Sequence, residues 1–139
     1  MSRLVVDASV AAKWFFPEPE SPAAFGILSK GSELLAPDLL PLELANVIWK
    51  RHQRGEINES EAAQIMADTS KVPMTLVETR ALLPRAFDLA ISIGRTVYDS
   101  TYLALALEIG VPLVTADLKF VRAVRAVSAS FPILALEEV

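Results

Sequence analysis

The 139-residue chain has no cysteine and a single histidine, His52. The first absence removes disulfide scaffolds, thiol nucleophiles and Cys-type zinc sites together, and it accords with a reducing compartment. The second removes His-rich zinc sites and the HExxH arrangement, which needs two histidines. Any bound metal must then be held mainly by oxygen, and oxygen-only sites favour hard cations such as Mg2+, Mn2+ or Ca2+. Long apolar runs are also missing. The stretch Met1 to Asp7 is too short in apolar residues for a secretory signal. The longest apolar region, Leu103 to Ala116, is cut by Glu108, Gly110 and Pro112 and does not read as a membrane span. A soluble, cytoplasmic protein with no membrane partner is expected. Positive charge is scarce: 13 Lys and Arg face 17 Asp and Glu, for a net charge of -4. That argues against nucleic-acid binding by a globally basic surface. It leaves room for a nuclease, because bound cations and local Lys/Arg clusters reverse the sign where phosphate docks.

What the chain does have is apolar content, 53% of its residues, which is high for a soluble domain. The length argues for one domain over residues 1–139, with one real core. So much apolar surface on a small domain predicts an interface as well. Strand and helix patterns alternate. Arg3 to Asp7 reads as a buried strand, followed by a helix from Ala8 to Phe16 that Pro17 stops. A helix over Ser21 to Lys30 and a strand over Glu33 to Ala36 come next. The clearest helix runs from Pro41 to Arg54, with Pro41 at its first position and Gly55 at its stop. Asn58 and Glu61 have capping-box spacing at the head of a helix to Lys71. A strand over Pro73 to Val77, helices over Pro84 to Ile93 and Asp99 to Ile109, a strand over Val111 to Thr115, a helix over Leu118 to Val127 and a strand over Pro132 to Leu136 complete the series. This alternation predicts an α/β domain with a mainly parallel sheet, whose active site lies outside the carboxyl ends of its strands.

Four acids map to such ends. Asp7 closes the first strand, and Asp117 lies just past Thr115. Glu43 sits in the first turn of the Pro41 helix, with Asn46 on its face, and Asp99 opens its own helix. Each has a plainer role available: Asp7, Asp99 and Asp117 as N-caps, with Ser100 and Thr101 as rival caps, and Glu43 as a charge favoured by the helix dipole. Taken together they mean more. Unpaired carboxylates brought together raise one another's pKa, so proteins group them mostly where a divalent cation offsets the repulsion.

The residues Leu4-Val5-Val6-Asp7-Ala8-Ser9, Pro37-Asp38-Leu39, Glu43-Leu44-Ala45-Asn46-Val47, Val97-Tyr98-Asp99-Ser100-Thr101-Tyr102-Leu103-Ala104-Leu105-Ala106 and Leu113-Val114-Thr115-Ala116-Asp117, in this order and spacing, resemble the PIN-domain ribonucleases. The resemblance is greatest to the VapC-type toxins of type II toxin–antitoxin pairs and covers nearly the whole chain. It implies a PIN-like domain with a sheet of about four to five strands flanked by helices. Asp7, Glu43, Asp99 and Asp117 would be its metal-site acids, with Asp7 and Asp99 the most direct ligands. Ser9, Asn46 and Thr115 match its accessory polar positions. It further implies Mg2+ as cofactor (with Mn2+ substituting), an RNA substrate, a homodimer, and an antitoxin that lays a peptide across the groove near the acids. Ser100 departs from the pattern, where the family more often has a small apolar residue.

Phosphodiester hydrolysis needs a nucleophilic water and stabilisation of charge on the phosphoryl oxygens, and a divalent cation supplies both. Mg2+ takes one or two direct carboxylates and keeps several waters. Four acids therefore fit one cation with outer members, or two once substrate arrives. The expected reaction is in-line attack of water on an RNA phosphate, with Asp7 and Asp99 binding metal and Glu43 and Asp117 completing the site or orienting the water. Substrate cations are less clear: Lys50, Arg51 and Arg54, and Lys119, Arg122 and Arg125, read better as solvated faces, while Lys13 is expected nearer the site. Trp14-Phe15-Phe16 reads as core, as dimer interface or as partner groove. Three other readings remain: a PIN nuclease of RNA processing without toxin activity, a catalytically dead binding module, and an aspartyl-nucleophile phosphatase. The last is disfavoured because position 9 is serine where a second Asp is needed.

Overall fold

The computed structural model describes residues 2–139. Five strands form one sheet: β1 (Arg3–Val6), β2 (Glu33–Pro37), β3 (Thr75–Val77), β4 (Leu113–Thr115) and β5 (Ile133–Ala135). Their order is β3-β2-β1-β4-β5, and every neighbouring pair is parallel. The register pairs Val5 with Leu35 on one side and Val6 with Val114 on the other. Seven helices flank the sheet: α1 (Ala8–Ala11), α2 (Ser21–Ser29), α3 (Leu40–Gln53), α4 (Glu59–Thr69), α5 (Leu83–Ile93), α6 (Val97–Ile109) and α7 (Leu118–Val127). The α/β class and the parallel sheet expected from the sequence are both present.

Alternation along the strands divides the core in two. Val5, Leu35 and Leu113 point to one face, where Tyr102, Leu103, Phe120 and Val124 cover them. Leu4, Val6, Leu34 and Val114 point to the other and meet Val10, Ala24, Ile27 and Leu136. Both faces are apolar, which is why these strands read as unbroken hydrophobic runs. The chain runs outward from β1 to β2 and β3, then returns across β1 to β4 and β5. The order therefore reverses between β1 and β4, and a crevice opens there at the carboxyl ends.

Several boundaries differ from expectation: β3 and β4 each start two residues later than the sequence suggests and α4 ends at Thr69, and three further differences have a local reason. The helix expected over Ala8 to Phe16 is a single α turn followed by a 3-10 turn, Ala12–Trp14. The N–H groups of Phe15 and Phe16 both bond back to the Ala12 carbonyl, tightening the chain, because the residue before a proline is disfavoured in helix. Helix α6 begins at Val97, two residues before Asp99, because Thr96 is its N-cap and accepts from the Asp99 N–H at 3.1 Å. Ser100 and Thr101 are buried inside the helix and cap nothing. Strand β5 is shorter than Pro132 to Leu136, since Leu136 enters a 3-10 turn. The capping box at Asn58 and Glu61 is formed, with bonds of 2.8 and 2.9 Å. Gly94 ends α5 at φ 76°, a left-handed conformation that other residues take only with strain, and it delivers Arg95 to the crevice. Among the described residues no helix is long and apolar enough to cross a membrane.

Candidate active site

Asp7 leaves β1 and caps α1. Its Oδ1 accepts from the Ser9 N–H at 3.1 Å, the Val10 N–H at 3.3 Å and the Ser9 hydroxyl at 2.5 Å. That hydroxyl stands 3.2 Å from the Thr115 hydroxyl and accepts from the Ala116 N–H at 2.9 Å, so it ties the end of β1 to the end of β4. Asp117 follows β4 and caps α7, its Oδ1 accepting from the Lys119 and Phe120 N–H groups at 3.0 and 3.2 Å. In both acids the cap takes one oxygen only. Oδ2 of Asp7 takes no part in its cap, and Oδ2 of Asp117 accepts from the Arg95 guanidinium.

Asp99 and Glu43 come from helices on the same side of the sheet. Because Thr96 caps α6, the Asp99 carboxylate is free of that role. Its Oδ2 lies 3.2 Å from Arg95 Nε and 3.0 Å from Nη2. Glu43 stands in the first turn of α3, where its Oε1 accepts from the Tyr102 hydroxyl at 2.6 Å. Tyr102 is buried and lies one turn after Asp99 on α6, so it holds Glu43 towards the same helix face. Asn46, one turn beyond Glu43, is exposed.

The electrostatics show the grouping. Burial pushes Asp7 up from 3.8 to about 6; the Ser9 and Thr115 hydroxyls and the Val10 N–H pull it back, and the Asp99 charge pushes it further up. Glu43 is raised by burial, against the Tyr102 hydrogen bond, with Asp99 adding to the rise. Asp99 is itself raised by burial, with Arg95 opposing and Asp117 repelling. Asp99 is thus the acid that repels each of the other three. Asp117 lies below its ordinary value: burial opposes this, but the Phe120 N–H and Arg95 outweigh it.

Carboxylates such as Asp7, Glu43 and Asp99, raised by burial and further by a neighbouring acid, are in kind the donors a hard divalent cation takes. Among the described residues no three acids stand close enough together to hold a cation between them; Arg95 fills the gap between Asp99 and Asp117. The donor chemistry, all oxygen, is of the kind such an ion takes.

Sequence reasoning passed over Arg95 and Tyr102. Arg95 carried one local signal, its i,i+4 spacing to Asp99. Tyr102 carried none, since Glu43 is 59 residues away. Lys13, expected near the acids, is instead buried and paired with Glu18 at 2.5 Å. Arg51 pairs with the same Glu18 at 2.8 Å and stacks 4.5 Å over Phe16. Phe16 is core, while Trp14 and Phe15 are half-buried and line an apolar groove of about 380 Å³ with Leu40, Leu44 and Met66.

Comparison with known proteins places the chain as a whole. The PIN domain family matches residues 4–126. Ribonuclease VapC3 of Pyrobaculum aerophilum is 41% identical over 117 residues, covering 83% of this chain and 89% of that protein. Among solved structures, PAE2754 of Pyrobaculum aerophilum superposes with a TM-score of 0.72 at 21% identity, over 98% of this chain and 90% of that one. VapC20 of Mycobacterium tuberculosis, a sarcin-ricin loop cleaving toxin, gives 0.67 at 14% identity, over 86% and 94%. At such identities the two structures speak for the fold, while the family match and the 41% relative speak for kinship. The chain belongs to the PIN-domain family, in its VapC-type branch.

Proposed function

We propose that this protein is a Mg2+-dependent endoribonuclease, the toxin of a type II toxin–antitoxin pair, hydrolysing RNA phosphodiester bonds. The observation that carries the reading is that Asp7, Glu43, Asp99 and Asp117 line the crevice at the strand-order reversal, with Asp99 within electrostatic reach of the other three. The 41% identity to a ribonuclease supports it. Asp7 and Asp99 would hold Mg2+ or Mn2+, and Glu43 and Asp117 would complete the site. A bound divalent cation supplies Lewis-acid stabilisation of phosphoryl charge and makes water more acidic. The chain supplies position. Ser9, its hydroxyl beside that of Thr115, fixes Asp7 by Oδ1, and the start of α7 fixes Asp117 in the same way. Tyr102 fixes Glu43, which is placed to orient the attacking water. Asn46 is exposed and free to meet the substrate.

Two partners follow. The apolar groove beside α3 supports a peptide partner, the antitoxin. On α5, Leu83, Phe87 and Ile91 are 46%, 56% and 70% exposed at i, i+4, i+8 spacing, a stripe that supports a homodimer. Phe87→Glu should then convert the dimer to monomer in size-exclusion with light scattering; a wild type that is already monomeric at micromolar concentration refutes the dimer.

The test of activity is cleavage of pooled cellular RNA with Mg2+ or Mn2+, using Asp99→Asn and a chelator as controls. Discrete fragments from wild type alone are expected. Equal cleavage by Asp99→Asn sinks the assignment. One observation favours a second reading, a catalytically dead binding module: Arg95 already neutralises two of the acids. On that reading neither cleavage nor a Mn2+-dependent rise in melting temperature is seen.

A further inference from the structure

Arg95 stands apart from the other cations of this chain. Lys13, Arg51 and Arg125 pair with Glu18, Glu56 or Glu138, acids outside the crevice. Arg95 pairs with Asp99 and Asp117 together. It is held there from three directions: by the left-handed turn at Gly94, by the two carboxylates, and by the Phe120 ring, whose centroid lies 5.3 Å from its guanidinium carbon. The contact on Asp99 is made to Oδ2 alone, and that on Asp117 to the oxygen not used for capping. Arg95 therefore sits on oxygens that a divalent cation at these acids would need. An arginine cannot give up its charge, so it and a cation compete for the same carboxylates. With neither present, two partly buried acids would face each other unpaired.

We infer that Arg95 is an internal counter-ion: it holds Asp99 and Asp117 together in the metal-free protein and is displaced from them when a divalent cation binds. Metal affinity is thereby set below what the acids alone would give. Arg95 lies on the connection between the end of α5 and the cap of α6, from which its long side chain can swing off the two carboxylates. This inference rests on the metal reading above, but its readout is binding, not cleavage.

The test titrates Mn2+ alone into the protein, with free Mn2+ read by electron paramagnetic resonance, and compares wild type with Arg95→Gln, Arg95→Lys and Lys119→Gln. Melting temperatures without metal are taken in parallel. Removing a competing ion pair of this exposure should tighten Mn2+ binding roughly five- to tenfold in Arg95→Gln, while its metal-free melting temperature falls. Arg95→Lys, which keeps the charge, should lie between the two. Lys119 is exposed on α7 beside Asp117 and is recorded in no ion pair, so Lys119→Gln controls for net charge. Equal tightening by Lys119→Gln overturns the inference in favour of a general field effect. Binding by wild type that Arg95→Gln leaves unchanged or weakens also overturns it, and leaves the metal reading intact. No Mn2+ binding by any variant removes both.

Discussion

Two regions of this molecule bury charge, and they do it in opposite ways. Around Glu18 the acid meets cations: Lys13 at 2.5 Å and Arg51 at 2.8 Å. The Lys13 hydrogen bond and the two positive charges hold Glu18 below the usual carboxylate range, against the effect of burial. At the crevice between β1 and β4 acid meets acid. Asp7, Glu43 and Asp99 all rise above their ordinary values, by burial first and by the charge of a neighbouring acid second, and at Asp99 Arg95 offsets only part of the rise. The first region ties the loop after Trp14 to α3 and needs nothing from outside. The second holds its carboxylates against both burial and one another, and a positive charge from outside would relieve it. Folding alone does not explain such a grouping, because the same chain shows at Glu18 how it pairs a half-buried acid when structure is the purpose.

The largest way to break the comparison is at its centre. Asp99→Asn keeps the shape and removes the charge that repels the other three acids. If these groups hold a cation, RNA cleavage in Mg2+ or Mn2+ should fall by at least roughly a hundredfold, read as initial rates on pooled RNA. Undiminished cleavage would place the chemistry elsewhere.

Next is a gain of stability at a site of lost function. Asp7 has a folded pKa of about 6 against an ordinary 3.8. The folded protein binds this proton more tightly than the unfolded chain does. Stability from this group is thus fully present below pH 3.8 and is lost as pH rises through about 6, a loss on the order of 3 kcal/mol from the shift. Asp7→Asn keeps an oxygen for the cap at Ser9 and Val10 and does not titrate. Without metal, urea unfolding should show the variant more stable than wild type at pH 7.5 and the difference vanishing near pH 4. A variant less stable at pH 7.5 would mean that Asp7 is held by its cap contacts alone.

The same substitution logic reverses at Glu18. Glu18→Gln leaves Lys13, nearly buried, without its closest charge partner, though Glu20 stands 3.8 Å away. Loss of a buried pair's partner is strongly destabilising; with Glu18 partly exposed, about 1–2 kcal/mol is expected after solvent screening. Chemical denaturation at pH 7.5 checks it, and RNA cleavage should be retained. Stabilisation by both Asp7→Asn and Glu18→Gln would erase the distinction between the two regions.

The two regions were not equally legible in sequence. Strand ends announce themselves: Leu4-Val5-Val6 and Leu113-Val114 are buried on both faces, so the Asp that follows each falls at a carboxyl end. Asp7 and Asp117 are readable as caps or as site acids, and the structure makes both of them caps through Oδ1 alone, so a role at a site through the second oxygen does not compete with capping. The head of α6 was misplaced because Val97 and Tyr98 give no start signal, while Thr96, the actual cap, sits outside the apolar pattern. Lys13 was misjudged because its nearness to β1 in sequence said nothing of Glu18, five residues on across Pro17. Arg95 reaches Asp117 over 22 residues and Tyr102 reaches Glu43 over 59. Contacts of that kind exist only once the chain has folded.

Tyr102 offers the smallest and finest cut between the regions. Its hydroxyl is the one described donor to Glu43 and sits among acids: Glu43, Asp7 and Asp99 all raise its own pKa, after burial has done so first. Tyr102→Phe should reduce stability by about 1 kcal/mol, the usual worth of one such bond. If the tyrosine merely packs α6 against α3, nothing else changes. If it positions Glu43 for the reaction, losing the bond removes an influence that lowers the Glu43 pKa, so that carboxyl loses its proton at a higher pH. The acid limb of the cleavage profile should then move to higher pH, while the alkaline side stays in place. A pH–rate profile of the variant in saturating Mn2+ separates the two, because a packing defect lowers the whole curve and a positioning defect slides one limb of it.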